Sequence, residues 1–139
     1  MRLTQPPAVI NIKNECSVFV VDKDVHVRKL LTEFLSDSGY VLRFFDDGYA
    51  ALDAARLNPP ALIITEILVP KLDGLSLCRL VKGDYSMASV NVMVLSVLSG
   101  EVRAQQSRAD RFLTKPIQRS TLLQSVRALT DACGDQIKT

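Results

Sequence analysis

The sequence predicts an α/β domain. Five short apolar runs alternate with amphipathic stretches, polar residues follow the runs, and turn or breaker residues separate the two kinds of segment. Runs that are apolar throughout, rather than at every second position, belong to strands covered on both faces. That implies a parallel sheet with helices above and below it, joined by right-handed crossovers. The 139 residues suit one domain around one core. It is expected at 16–132, between an N-terminal arm at 1–15 containing Pro6-Pro7 and a tail at 133–139.

The first strand is Val18-Phe19-Val20-Val21, with order beginning near Cys16. It ends at Asp22-Lys23-Asp24, where Asp24 can cap the next helix. Over 25–38 the apolar residues Val27, Leu30, Leu31, Phe34 and Leu35 recur at three- and four-residue steps, with Arg28, Lys29, Glu33 and Asp37 on other faces. Gly39 supplies the stop. Residues 41–45 read as the second strand, Asp47 as a cap, and 49–57 as a second helix that Asn58-Pro59-Pro60 breaks. The third strand is 61–65. Pro70-Lys71-Leu72-Asp73-Gly74 then turns into a third helix carrying Leu75, Leu77, Cys78, Leu80 and Val81. A fourth strand is expected at 90–95, a short fourth helix at 99–107 and a terse fifth strand at 111–113. A last helix over 120–132 carries Leu122, Leu123, Val126 and Leu129 at helical spacing.

Seventeen Lys and Arg against fifteen Asp and Glu leave a formal charge of +2, too small to argue for nucleic acid or an anionic membrane as a partner. No apolar run approaches the roughly 18 residues of a membrane span. Cys16, Cys78 and Cys133 are odd in number, lack metal-ligand spacing and occur without a secretory signal, so reduced thiols in the cytoplasm are expected. The single histidine, His26, reads as a helix-surface residue rather than a metal ligand.

In a parallel sheet of this kind ligands bind beyond the carboxyl ends of the strands. Asp22, Glu66, Ser96 and Lys115 all fall there. A nucleotide or flavin binder on the same architecture is an alternative. Against it, the first turn has no glycine to let backbone approach a phosphate, and it carries carboxylates that would repel one.

Taken in order, Val20-Val21-Asp22, Glu66 followed by Pro70 and Asp73-Gly74, Ser96, and Leu113-Thr114-Lys115-Pro116 resemble the CheY-like receiver domain of two-component response regulators, over about 16–132. The resemblance implies a flavodoxin-like (βα)5 fold with strand order 2-1-3-4-5, a non-enzymatic role in phosphorelay signal transduction, and a histidine kinase or downstream signalling protein as partner. A monomer or weak dimer with no direct contact to nucleic acid is expected. No effector helix-turn-helix, catalytic domain or long linker is read after Ala132, so output through the domain's own surface is expected unless the sequence is a fragment of a longer chain. The stretch from Ser96 to Lys115 is a few residues shorter than the family usually has, which puts the usual docking face in doubt.

In that family two adjacent acids and an acceptor aspartate hold Mg²⁺, while a hydroxyl and a lysine meet the phosphoryl group. Carried over, Asp22 is the first acid, Lys23 stands at the second, Glu66 at the acceptor, Ser96 is the hydroxyl, Lys115 the lysine with Pro116 after it, and Phe112 the aromatic switch position. Ser96 could equally be a plain strand-end residue and Phe112 plain core. Glutamate displaces its carboxylate by about 1.5 Å, and misplacement of about 1 Å can cost on the order of a hundredfold in rate. Ordinary phosphorylation at Glu66 is therefore not expected. Mg²⁺ is disfavoured, with Asp22 and Glu66 its ligands if it binds and Asp24 a remote substitute.

The Lys23 ammonium is expected to take the cation's place by bonding Asp22 or Glu66, unless it points into solvent. An inward Phe112 with Glu66 reaching Ser96 or Lys115 would resemble a permanently active receiver. The competing expectation is a working phosphoacceptor that uses Glu66 or a neighbouring acid.

Overall fold

A computed structural model describes residues 16–98 and 107–133. Strands β1 (Cys16–Val21), β2 (Tyr40–Phe45), β3 (Leu62–Thr65), β4 (Asn91–Ser96) and β5 (Arg111–Thr114) form one parallel sheet in the order β2-β1-β3-β4-β5. The order is the one the resemblance implies. Helices α1 (Val25–Leu35), α2 (Gly48–Leu57), α3 (Gly74–Lys82) and α4 (Arg119–Leu129) cover it.

Alternation along β1 divides the core. Val18 and Val20 face α1 and α4, meeting Leu31, Leu35, Leu122 and Val126, while Phe19 and Val21 face α2 and α3, meeting Leu52, Ala55, Leu77 and Val81. Both faces of β1 and β3 are thus dry, which is why their sequences carry no polar alternation. Edge strand β2 alternates instead, with Val41 and Arg43 outward.

The helix starts follow their capping side chains. Asp24 accepts from His26 N at 2.9 Å, Asp47 from Ala50 N at 2.8 Å, and Asp73 from Ser76 N at 2.9 Å. The helix expected over 25–38 is α-helical only to Leu35. Ser36–Ser38 tighten into a 3₁₀ turn that Gly39 closes at φ 84°, a left-handed conformation that costs glycine nothing. Another 3₁₀ turn, Tyr85–Met87, leads into β4, and the helix expected over 120–132 breaks at Thr130, with 131–133 again helical. The arm at 1–15, residues 99–106 of the expected fourth helix, and 134–139 of the tail lie outside the described residues.

One expectation is corrected. Cys16 and Cys133 are joined in a disulfide rather than held as two reduced thiols. A separation of 117 residues hides the pairing in the sequence, but the start of β1 and the segment after α4 meet at one end of the sheet. Their Cα atoms lie 5.9 Å apart, a span that a disulfide bridges. Cys78 is free and buried in α3. Among the described residues no helix is long and apolar enough to cross a membrane.

Candidate functional site

Parallel pairing brings the carboxyl ends of β1, β3, β4 and β5 to one edge, and with them Asp22, Glu66, Ser96 and Lys115. Glu66 N donates to Val21 O at 3.1 Å and Lys115 N to Ser96 O at 2.8 Å, so the strand ends are tied in two pairs, β1 with β3 and β4 with β5. Lys115 Nζ then bridges the two acids, 2.8 Å from Asp22 Oδ2 and 3.0 Å from Glu66 Oε1. The three side chains are 11%, 8% and 9% exposed for Lys115, Asp22 and Glu66, so the pairing is shielded from water.

The remaining carboxylate oxygens are taken by backbone. Asp22 Oδ1 accepts from Asp24 N at 2.9 Å, Glu66 Oε2 from Ile67 N at 2.6 Å, and Glu66 Oε1 also from Val97 N at 3.3 Å. The buried Ser96 hydroxyl accepts from Leu98 N at 3.0 Å and favours the ionised form of Glu66.

The expected Lys23 pairing is corrected. Lys23 is exposed and makes no hydrogen bond or ion pair among the described residues. Asp22 turns inward at the end of β1, and the chain then swings out to let Asp24 cap α1, which carries Lys23 to the rim. Lys115 occupies the place between the acids that the sequence offered to Lys23. With two carboxylates and one ammonium the cluster carries a formal charge of −1, not the neutral sum that two inward lysines would give. Asp24 and Asp73 act as helix caps outside the cluster.

Phe112 is half-buried and packs against Ile67, Leu75 and Val94. Pro116 is exposed, and the Lys115-Pro116 peptide is cis.

Arg28 belongs to the site without having been singled out. Its Nε donates to Asp22 O, its Nη2 pairs with Asp46, and its guanidinium lies over the Phe44 ring at 5.6 Å. It clamps the turn that presents Asp22. In the sequence it is only one of several polar residues on α1. The Ile67 and Val97 amides were equally silent, because a backbone donor has no residue type to announce it.

Gly74 fixes the other side of the site. A Cβ there would sit 2.0 Å from the Glu66 carbonyl oxygen, while Gly74 N donates to Ile67 O at 2.9 Å. Gly74→Ala must push α3 away from the strand end that carries Glu66. Denaturant melts should show a loss of about 2–3 kcal/mol, and an unchanged midpoint would contradict this close contact.

Burial alone would raise the pKa of Glu66. Hydrogen bonds from Ser96, Lys115 and the Ile67 amide, with the charge of Lys115, outweigh it and hold the carboxyl below its ordinary 4.5. Burial would lower Lys115, but its bonds to Asp22 and Glu66 raise it above 10.5. A depressed acid contributes stability above its unfolded pKa and loses it as pH falls through the folded value. A raised lysine contributes fully below its unfolded pKa and loses it as pH rises through the folded value. Stability from this pair should therefore hold between about pH 4.5 and 10.5 and fall outside both limits. Lys115→Met should flatten the alkaline limb in thermal melts against pH; an unaltered limb would contradict the assignment.

A family model for the response regulator receiver domain matches residues 18–127. The chain belongs to that family. This receiver is 35% identical over 115 residues to the response regulator MprA of Mycobacterium sp. (strain KMS), an alignment covering 81% of this chain and 49% of MprA. It spans about half the length of the curated relatives it matches. Among solved structures it is similar to the signal receiver domain of a signal transduction histidine kinase from Syntrophus aciditrophicus, with TM-score 0.78 and 30% identity over 84% of this chain and 91% of that one. The receiver domain of the sensor histidine kinase PA1611 from Pseudomonas aeruginosa PAO1 shares the fold at TM-score 0.75 and 21% identity, covering 84% of this chain and 98% of its own. That domain holds a magnesium ion in its active-site cleft.

The residues present in this receiver do not fit magnesium. Mg²⁺ demands a near-octahedral set of oxygens. Here the two carboxylate oxygens that face the cleft are both bonded to Lys115 Nζ, and each acid's other oxygen is bonded to a backbone amide. Among the described residues no group of three or more His, Cys, Asp or Glu could hold a metal. A dication would have to expel the ammonium or sit against it.

Proposed function

We propose that this receiver serves two-component signalling as a protein-interaction module without ordinary Mg²⁺-dependent phosphorylation, held in one state by its own Glu66 and Lys115. It acts through its surface on a histidine kinase or a downstream signalling protein in the cytoplasm, and it is not an enzyme. The observation carrying this reading is the engagement of both oxygens of the Glu66 carboxylate. Its two oxygens accept from Ile67 N, Val97 N and Lys115 Nζ, so each is held in place by at least one donor and neither is aimed freely at an incoming group. Those are the kinds of donors that would stabilise incoming phosphoryl oxygens, and the longer side chain of glutamate has taken them for itself.

Positioning argues the same way. In-line transfer needs a carboxylate oxygen aimed at phosphorus and a cation to offset charge. Lys115 offsets the charge of the acids but does not coordinate acid and phosphoryl oxygens together as a metal would. The packing of Phe112 on Ile67, Leu75 and Val94 fits a switch layer that follows the Glu66 segment.

Treatment with acetyl phosphate and Mg²⁺ followed by intact-mass measurement tests the reading. An unchanged mass is the expected outcome. A phosphate mapped to Glu66 or Asp22, present in wild type and absent from Glu66→Gln, would replace it with a working phosphoacceptor.

A further inference from the structure

We propose that Cys16 and Cys133 form a reversible thiol–disulfide couple, a redox-modification site that clasps the two ends of the domain at the pole of the sheet opposite Glu66. The inference is independent of what happens at the acid cluster. Three observations carry it.

First, the backbone already holds the partners at bridging distance, 5.9 Å between Cα atoms, and Cys16 is anchored there by pairing with Tyr40 in β2. Second, both cysteines line an open cavity of about 370 Å³ shared with Pro59, Pro60, Asn91 and Leu129. Cys16 is only 1% exposed, whereas Cys133 is half-buried, so an incoming thiol or disulfide meets Cys133 first. Third, the remaining cysteine cannot compete. Cys78 is fully buried on α3, its thiol donates to Ser107 O at 3.3 Å, and burial raises its pKa, which leaves it protonated and a poor nucleophile.

With glutathione disulfide as the oxidant, the Cys133 thiolate attacks one glutathione sulfur and expels a glutathione thiolate, giving a mixed disulfide. The Cys16 sulfur then attacks Cys133 sulfur and expels the second. Two cysteine thiols are oxidised, one glutathione disulfide is reduced to two glutathione thiols, and the two protons leave with them. Dithiothreitol runs the exchange backwards. Because the bond ties positions 117 residues apart, closure removes freedom from nearly the whole unfolded chain.

The test uses the full chain equilibrated with glutathione disulfide at neutral pH, then alkylated in denaturant and weighed. The expected product carries one alkyl group, on Cys78, against three on the reduced protein, and yields a Cys16–Cys133 peptide about 2 Da lighter than the sum of the two reduced peptides. Its thermal midpoint should lie about 5 °C or more above that of the reduced form, and dithiothreitol should restore three alkylatable thiols. Cys78→Ser should close normally, whereas Cys133→Ser should not close. Persistence of three thiols in wild type, glutathione left attached at Cys133, a bridge to Cys78, or equal midpoints in the two forms would each overturn the proposal.

Discussion

Lys115→Met is expected to destabilise the folded domain by about 3 kcal/mol. Methionine keeps much of the apolar stem and removes the ammonium. Asp22 Oδ2 and Glu66 Oε1, now bridged by one nitrogen at 2.8 and 3.0 Å, would face each other with no cation between them. Both carboxylates are less than a tenth exposed, so water cannot repair the loss cheaply. Lys115→Met combined with Glu66→Gln should recover part of the deficit, because it removes one of the two stranded charges. Equilibrium denaturation of the three proteins measures this. A loss below about 1 kcal/mol would mean that the cluster behaves as a solvated surface pair.

The second large effect is a gain. Lys23→Asp combined with Glu66→Asp should raise Mg²⁺-dependent phosphorylation by a small phosphodonor about a hundredfold or more over wild type. Shortening position 66 withdraws the carboxylate by about 1.5 Å from the Ile67 and Val97 amides, which returns those donors to an incoming phosphoryl group. An acid at position 23, now an exposed lysine on the rim next to Asp22, exchanges a positive for a negative charge there and so favours a cation in the cleft. Each single change should fall well short, since one leaves the acceptor misplaced and the other leaves the positive charge on the rim. An inert double variant would locate the block elsewhere in the domain.

What was legible in the sequence is what repeats along it. The unbroken apolar run Val18-Phe19-Val20-Val21, like residues 62–65 of β3, announces burial on both faces, and a parallel sheet then carries Asp22, Glu66 and Lys115 to one edge whatever the intervening helices do. Direction within that edge was not legible. Lys23 and Lys115 offer the same ammonium, and only the turn that makes Asp24 a helix cap sends Lys23 outward. The amides that engage Glu66 belong to the backbone of Ile67 and Val97, which no side-chain pattern reveals. Cys16 and Cys133 read as separate reduced thiols because their proximity depends on the whole topology between them.

Arg28 illustrates the same limit. Its clamp on the Asp22 carbonyl spans six positions and depends on the bend between β1 and α1, so helical periodicity places it on a polar face without saying what that face meets.

The central claim is that one ammonium has taken the place of a divalent cation between two acids. Titration of wild-type protein with Mg²⁺ at neutral pH, in the presence and absence of beryllofluoride, tests it most directly, read by calorimetry. The account predicts no saturable binding of either through the millimolar range. Submillimolar Mg²⁺ affinity, with beryllofluoride captured at Glu66, would contradict it.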